Sequence, residues 1–252
     1  MDKKRLFSYT RRAIDAYSMI SDGDRIAVAV SGGKDSLTLA VALKGLERFY
    51  PKHFTMAAYT VDIGFGNDLS GLNTFFDEQE IPFKVIHTQI KEIVFDVRKE
   101  DNPCALCASL RKGALYTELG KDGFNKVALG HHKEDVIETF LMSLFYEGRF
   151  NTFQPVTELS RSQMSVIRPL MYVPEKEIIH YANKNNLPIV HNLCPVDGYT
   201  KRTEMNDLLR TLEKADHEIP NRIFSAIQHS SLEGWHSDFV PNRTPLHKDS
   251  FR

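Results

Sequence analysis

Cysteine is scarce in this chain. There are 3 in 252 residues, too few for the disulfide framework of a small secreted domain. Excess charge of one sign is also lacking. The chain has 32 Lys plus Arg against 33 Asp plus Glu, so no global field draws it to nucleic acid, and any phosphate contacts must be local. No apolar run is long enough to cross a bilayer, and Met1-Asp2-Lys3-Lys4-Arg5 opens no signal-peptide core. The expectation is a cytoplasmic protein with no membrane partner. Internal repeats and low-complexity blocks are absent as well. Tryptophan occurs once, at Trp235, and the polar stretch with Pro241 and Pro245 makes 235–252 read as a loose tail.

Apolar content is ample, at 42%, enough for a full core in one large or two small domains. Leu6, Tyr9, Ala13, Ala16 and Tyr17 space residues 1–20 as an amphipathic N-terminal helix. Strands are predicted at 25–30, 54–61, 83–87, 126–129 and 166–167, with helices at 36–49, 69–80, 108–119 and 133–146 between them. That alternation predicts an α/β fold, a parallel five-stranded sheet flanked by helices, over 21–173. Helical patterns at 174–186, 201–213 and 217–229 predict a helical C-terminal portion over 174–234.

Between the first strand and its helix lies Ser31-Gly32-Gly33-Lys34-Asp35-Ser36. A glycine turn opening a helix aims backbone N–H groups and the positive helix end at one point, which makes an anion site. Ser31 and Ser36 add hydroxyl donors, Lys34 a cation, and Asp35 a carboxylate suited to Mg²⁺. The spacing is neither that of a Walker A loop nor of a dinucleotide fingerprint. Ser31, Asp62 and Gly130 each follow a predicted strand, so all three are expected on one crevice beyond the strand ends. ATP is expected across it, with its phosphates on the loop and its adenine near Val61 and Asp62.

Two of the cysteines form Cys104-Ala105-Leu106-Cys107, and the third is distant, in His191-Asn192-Leu193-Cys194. The residues alone leave several readings open. A redox dithiol would use only the close pair. A structural zinc would need a fourth ligand such as His191. Three thiolates without a fourth suit a four-iron cluster with one iron left open. Unrelated cysteines are the remaining alternative. A second polar segment, Gly130-His131-His132-Lys133-Glu134-Asp135, falls at a strand end and helix start. Asp135 there is a candidate to join Asp35 around Mg²⁺, although the helix dipole alone also favours an acid in a first turn.

The loop resembles that of the N-type ATP pyrophosphatase (PP-loop) superfamily, which cleaves ATP between its α and β phosphates. Further stretches narrow the likeness. They are Pro103–Cys107 with Leu110-Arg111-Lys112-Gly113, Ala128–His132, Glu138-Thr139, Phe145-Tyr146, Ile167–Leu170, Asn192–Cys194 and Asn221–Ala226. Together, in order over about residues 20–230, they resemble the tRNA 2-thiocytidine biosynthesis family. The resemblance implies an adenine nucleotide α-hydrolase-like, Rossmann-like fold and an ATP- and Mg²⁺-dependent sulfurtransferase; in a mechanism built on these parts, Lys34 and His131 are expected to stabilise developing phosphate charge. It implies a [4Fe-4S] cluster on Cys104, Cys107 and Cys194. It also implies tRNA as partner, a sulfur donor such as a cysteine desulfurase, and a homodimer. The chain departs from the family at His191, where a cysteine is common, at Pro195-Val196-Asp197 in place of Gly-Ser-Gln, and at Gln154-Pro155 in place of Pro-Pro-Lys. Competing readings are thiolation of another nucleoside or small molecule, lysidine formation, and a non-catalytic iron–sulfur nucleic-acid-binding protein.

Overall fold

The computed structural model describes residues 1–99, 103–160, 163–191, 193–194 and 201–235. Helix α1 (Lys3–Ala16) begins where the Asp2 side chain accepts the Arg5 N–H at 2.8 Å. It buries Leu6, Thr10, Ala13 and Ile14, one face at helical spacing. Strand β1 (Asp24–Ala29), helix α2 (Lys34–Glu47), strand β2 (Phe54–Asp62), helix α3 (Ser70–Glu78) and strand β3 (Phe83–His87) follow. Then come a π-helical turn (Glu92–Arg98), helix α4 (Pro103–Lys121), strand β4 (Lys126–Ala128) and helix α5 (Lys133–Met142), which runs into a second π-helical turn (Ser143–Glu147). Strands β5 (Val156–Leu159) and β6 (Met164–Ile167) close the sheet, and α6 (Glu175–Lys184), α7 (Lys201–Ala215) and α8 (Ile219–Gln228) complete the described chain.

The sheet order is β3-β2-β1-β4-β6-β5. All neighbours run parallel except β5, which pairs antiparallel with β6. The chain winds outward from β1 to β3 and then returns to place β4 on the other side of β1. The β1/β4 boundary is therefore the switch point where a crevice opens beyond the strand ends. A large core, including Ile26, Leu39 and Val136, fills one side of the sheet. A smaller one, including Ala27, Leu115, Leu119 and Val127, packs α4 on the other.

Three expectations need correction. The sheet has six strands, because the four-residue edge strand β5 carries too little pattern to be read from its sequence. Cys104 and Cys107 lie in the first turns of α4 rather than in a loop before it, since Pro103 takes the helix's first position. Trp235 belongs to the core and not to a tail: it is fully buried, with Tyr17 and Phe224 edge-on at 5.9 Å. Residues 236–252 and the segment Pro195-Val196-Asp197 lie outside the described residues. Among the described residues, no helix is long and apolar enough to cross a membrane.

At the start of β1, Asp24 is buried and accepts from Lys126 Nζ (2.9 Å), Asn125 Nδ2 (2.8 Å) and the Ser21 N–H (2.6 Å). Burial alone would raise its pKa, but these donors outweigh it and hold the carboxyl below its ordinary value. A lowered folded-state pKa contributes stability above the unfolded value of 3.8, which is lost as pH falls through the folded one. Thermal melts from pH 7 to pH 2 are therefore expected to show an Asp24→Asn protein about 3 kcal/mol less stable at neutral pH, with a shallower acid dependence than wild type.

Candidate active site

The phosphate loop is built by its own side chains. Ser36 Oγ donates to the Gly33 carbonyl (2.9 Å) and accepts the Ser31 N–H (3.2 Å), while Ser31 Oγ accepts the Gly33 N–H (3.3 Å). Gly32 sits at φ +83°, a left-handed conformation that few other residues adopt. No side chain caps the N-terminus of α2, which leaves its first N–H groups to an anion. Gly130, after β4, approaches so closely that a Cβ there would lie 3.0 Å from backbone atoms of Asp35 and Ser36. A Gly130→Ala protein, overpacked against backbone that cannot yield, is expected to release pyrophosphate on the order of a hundredfold more slowly. A coupled pyrophosphate assay checks this.

Around the loop lies a compact charge network. Lys34 Nζ is 3.1 Å from both Asp35 Oδ2 and Glu175 Oε1. Burial works against the ammonium, yet these carboxylates outweigh it and raise the Lys34 pKa, keeping it charged. The buried His132 ring faces Glu134 at 3.3 Å, Asp135 at 3.4 Å, and Asp35 and Glu175 at 4.0 Å. Burial would discharge it, but these acids hold its pKa up at about 9. Asp35 itself is pushed up, first by burial and further by Asp135, against the pull of Lys34 and His132. Its Oδ1 is buried without a hydrogen-bond partner. An orphaned carboxylate oxygen beside an anion site fits a divalent cation such as Mg²⁺. Asp135 is more fully engaged: Oδ2 accepts the His132 N–H (2.9 Å) and Oδ1 accepts from Arg202 (2.9 Å).

His131 takes the opposite charge state from its neighbour. It is stacked on Phe153 at 4.7 Å, and burial pushes its pKa down to about 4. Its Nδ1 lies 3.2 Å from Arg168 Nε. A guanidinium can only donate, so Nδ1 accepts and Nε2 carries the proton. The ring is a neutral N–H donor at working pH.

These groups line a cleft of about 450 Å³ whose walls include Ser31, Asp35, Ser36, Gly130, His131 and Asp135. A second lobe of about 250 Å³, lined by Ser31, Gly33, Val61 and Asp62, shares Ser31, Val61 and Arg111 with the first. Asp62 is held there by the Gly64 N–H (2.9 Å) and His87 Nδ1 (3.1 Å). The crevice expected from the sequence thus collects Ser31, Gly33, Asp35, Ser36, Val61, Asp62, Gly130, His131 and Asp135. Lys34 stands beside it and Gly32 shapes the loop. Sequence reasoning missed three cationic wall residues as site members. Arg111 lines both lobes, and Lys112 and Arg202 line the larger. Arg111 and Lys112 entered the sequence reading only within the stretch Leu110–Gly113 that carries the family resemblance, and a basic side chain on α7 gives no sign in the sequence that it reaches this cleft.

Two of the cysteines lie on α4, the helix that supplies Arg111 and Lys112 to the cleft wall. Cys107 lies four residues before Arg111 on α4, so both lie on one face of the helix. Burial raises the Cys107 thiol, the Arg111 charge opposes this, and both Cys194 and Cys104 are near enough to raise it further. None of the three is in a disulfide. Cys194 is brought in by a segment fastened to the loop. The Val190 N–H donates to the Gly32 carbonyl (3.0 Å), and Asn67 Nδ2 donates to the His191 carbonyl (3.0 Å). Among the described residues, no three His, Cys, Asp or Glu side chains converge on a point that would hold a single metal ion. Three thiols from two segments, with no fourth ligand converging on them among the described residues, fit a four-iron cluster better than tetrahedral zinc.

A strand–glycine loop–helix phosphate site at the switch point of this sheet defines a PP-loop protein. The chain belongs to that family, for a model of the PP-loop domain matches residues 7–195. Within it, the chain belongs to the tRNA-cytidine(32) 2-sulfurtransferase family. It is 38% identical over 228 residues to a protein of that name from Geobacter sulfurreducens, covering 89% of each chain. It is 34% identical over 232 residues to one from Coxiella burnetii, again covering 89% of each. Among solved structures, the fold is similar to the U34-tRNA thiolase NcsA from Methanococcus maripaludis, solved with its [4Fe-4S] cluster. The TM-score is 0.70 at 23% identity, over 89% of this chain and 78% of that one. An NH3-dependent NAD synthetase from Campylobacter jejuni shares the fold at a TM-score of 0.52 and 15% identity, over 89% and 91% of the two chains.

Proposed function

We propose that this protein is a cytoplasmic ATP-dependent tRNA sulfurtransferase that replaces the C2 oxygen of a cytidine, at position 32 as in its named relatives, with sulfur. One observation carries the reading. The cationic wall of the phosphate cleft and two of the three thiols share one face of α4, while the third thiol's segment is hydrogen-bonded to the phosphate loop. Activation and sulfur delivery therefore have a common centre.

ATP lies across the strand ends with its phosphates on the N–H groups of 34–36, the first turn of α2. Lys34 and the positive end of α2 offset their charge. Asp35, with its orphaned oxygen, is the residue that would hold Mg²⁺ against those phosphates, with Asp135 close by. The C2 oxygen of the cytidine attacks the α-phosphorus, an O–P bond forms, and the bond to the leaving pyrophosphate breaks. The neutral His131 N–H and Arg111 are placed to stabilise the charge that builds on the phosphorus oxygens. The protein's main contribution is positioning and fixed charge. Cys104, Cys107 and Cys194 would hold a four-iron cluster, which when bound supplies sulfur at its open iron. Bond formation from sulfur to C2 then expels AMP with the original oxygen. Two finer points, a donor of the cysteine-desulfurase kind and a homodimeric working unit, rest on the family resemblance alone.

The test is reconstitution. Anaerobically prepared protein, given ATP, Mg²⁺, a sulfide source and tRNA from a strain lacking the enzyme, is expected to produce 2-thiocytidine with AMP and pyrophosphate. Pyrophosphate release without any thiolated nucleoside would overturn the reading.

A further inference from the structure

Helix α5 does not end cleanly after Met142. It continues as the π-helical turn Ser143–Glu147, stopped by Gly148 at φ +64°. The turn is closed from inside: Ser143 is buried, its hydroxyl meets Glu147 at 3.1 Å, and its carbonyl accepts the Arg149 N–H at 3.1 Å. With the small residue inside, the large ones face out. Phe145 is 56% exposed, Tyr146 46% and Phe150 74%. Three exposed aromatic rings within six residues are a costly surface unless something covers them.

The surroundings say what kind of partner covers it. Cations are interleaved with the rings. Arg149 is exposed between Tyr146 and Phe150, and Lys201 Nζ sits 4.6 Å from the centre of the Tyr146 ring. Both acids of the patch are held by this chain: Glu147 is turned back onto the Ser143 hydroxyl with its charge intact, and Glu204 takes the Tyr146 hydroxyl and Lys201. Alternating rings and cations with the nearby carboxylates engaged match a chain of bases and phosphates better than another apolar protein face. The patch also leads into the cleft. Lys201 is followed by Arg202, which lines the cleft and binds Asp135 and Thr139 of α5, the helix whose end carries the rings.

We propose that the turn 143–150 with Lys201 is the surface that holds the unpaired loop of the RNA substrate. Phe145 and Phe150 stack on bases beside the target cytidine, and Arg149 and Lys201 take phosphates. The proposal rests on the reading of the protein as a tRNA thiolase and adds the place where the splayed loop is gripped.

The experiment measures binding of an unmodified tRNA transcript to full-length protein, with ATP affinity and oligomeric state measured on the same samples. A Phe145→Ala, Phe150→Ala protein is expected to bind the tRNA at least about tenfold more weakly, with ATP affinity and oligomeric state unchanged. Phe150→Trp is expected to retain affinity where Phe150→Leu does not. Arg149→Ala is expected to lower the slope of binding against salt by about one. Wild-type-like tRNA binding by the double variant would overturn the proposal and leave the thiolase reading standing. So would conversion of an oligomer to a monomer by the same variant, since the patch would then join copies of the chain. Wild-type protein that binds no tRNA at all would overturn both.

Discussion

An Asp35→Asn protein is expected to release pyrophosphate from ATP, in the presence of tRNA, at least roughly a hundredfold more slowly than wild type. The substitution keeps shape and removes charge. Asp35 is the loop carboxylate with a buried oxygen that nothing in the protein satisfies, and it opposes Lys34 and His132 across the cleft mouth. Without its charge the cation loses its anchor. The same exchange at Asp135 is the informative comparison. That carboxylate already caps α5 and pairs with Arg202, so an Asp135→Asn protein is expected to lose stability as well as rate. Steady-state pyrophosphate assays at several Mg²⁺ concentrations, alongside thermal melts, separate the two. If higher Mg²⁺ leaves the Asp35→Asn deficit unchanged and ATP binding is intact, Asp35 does not hold the metal.

The second large effect is expected at Cys194. A Cys194→Ala protein should lose tRNA thiolation altogether and fall from roughly four irons per chain toward none, yet keep tRNA-dependent pyrophosphate release. The split follows from geometry. Cys194 lies beyond the point where Val190 is pinned to Gly32, so the change removes a ligand without disturbing the loop that binds phosphate. Iron analysis and nucleoside chromatography on the same anaerobic preparation make the test. Full iron content with full thiolation would remove Cys194 from the cluster.

What the sequence disclosed follows from what is local. The phosphate loop is six contiguous residues in a strand–turn–helix frame, so its form and its place beyond a strand end are legible in the order of residues alone. Val61, Asp62, Gly130 and His131 follow because residues just after parallel strands share one crevice. What stayed hidden depends on contacts between distant segments. Glu175 joins Lys34 only because α6 folds back over α2. Arg202 enters the cleft only because α7 packs on α5. His131 and His132, adjacent in the chain and both buried, take opposite charge states: burial, helped by Arg168 and Arg202, discharges one, while the surrounding carboxylates outweigh burial at the other. Strand β5 and the buried Trp235 escaped for a related reason, since four residues or one residue carry no periodicity.

The backbone bond between Val190 and Gly32 bears on how the molecule is made. The loop precedes its cover by most of the described chain and so is synthesised well before it. A nascent chain released as far as β6 has a finished sheet and a phosphate loop whose Gly32 carbonyl still faces water. The site closes by one of the longest-range contacts in the fold, the kind that forms late and slowly. A fragment ending before Val190 would therefore keep the nucleotide-binding architecture but not the enclosed centre.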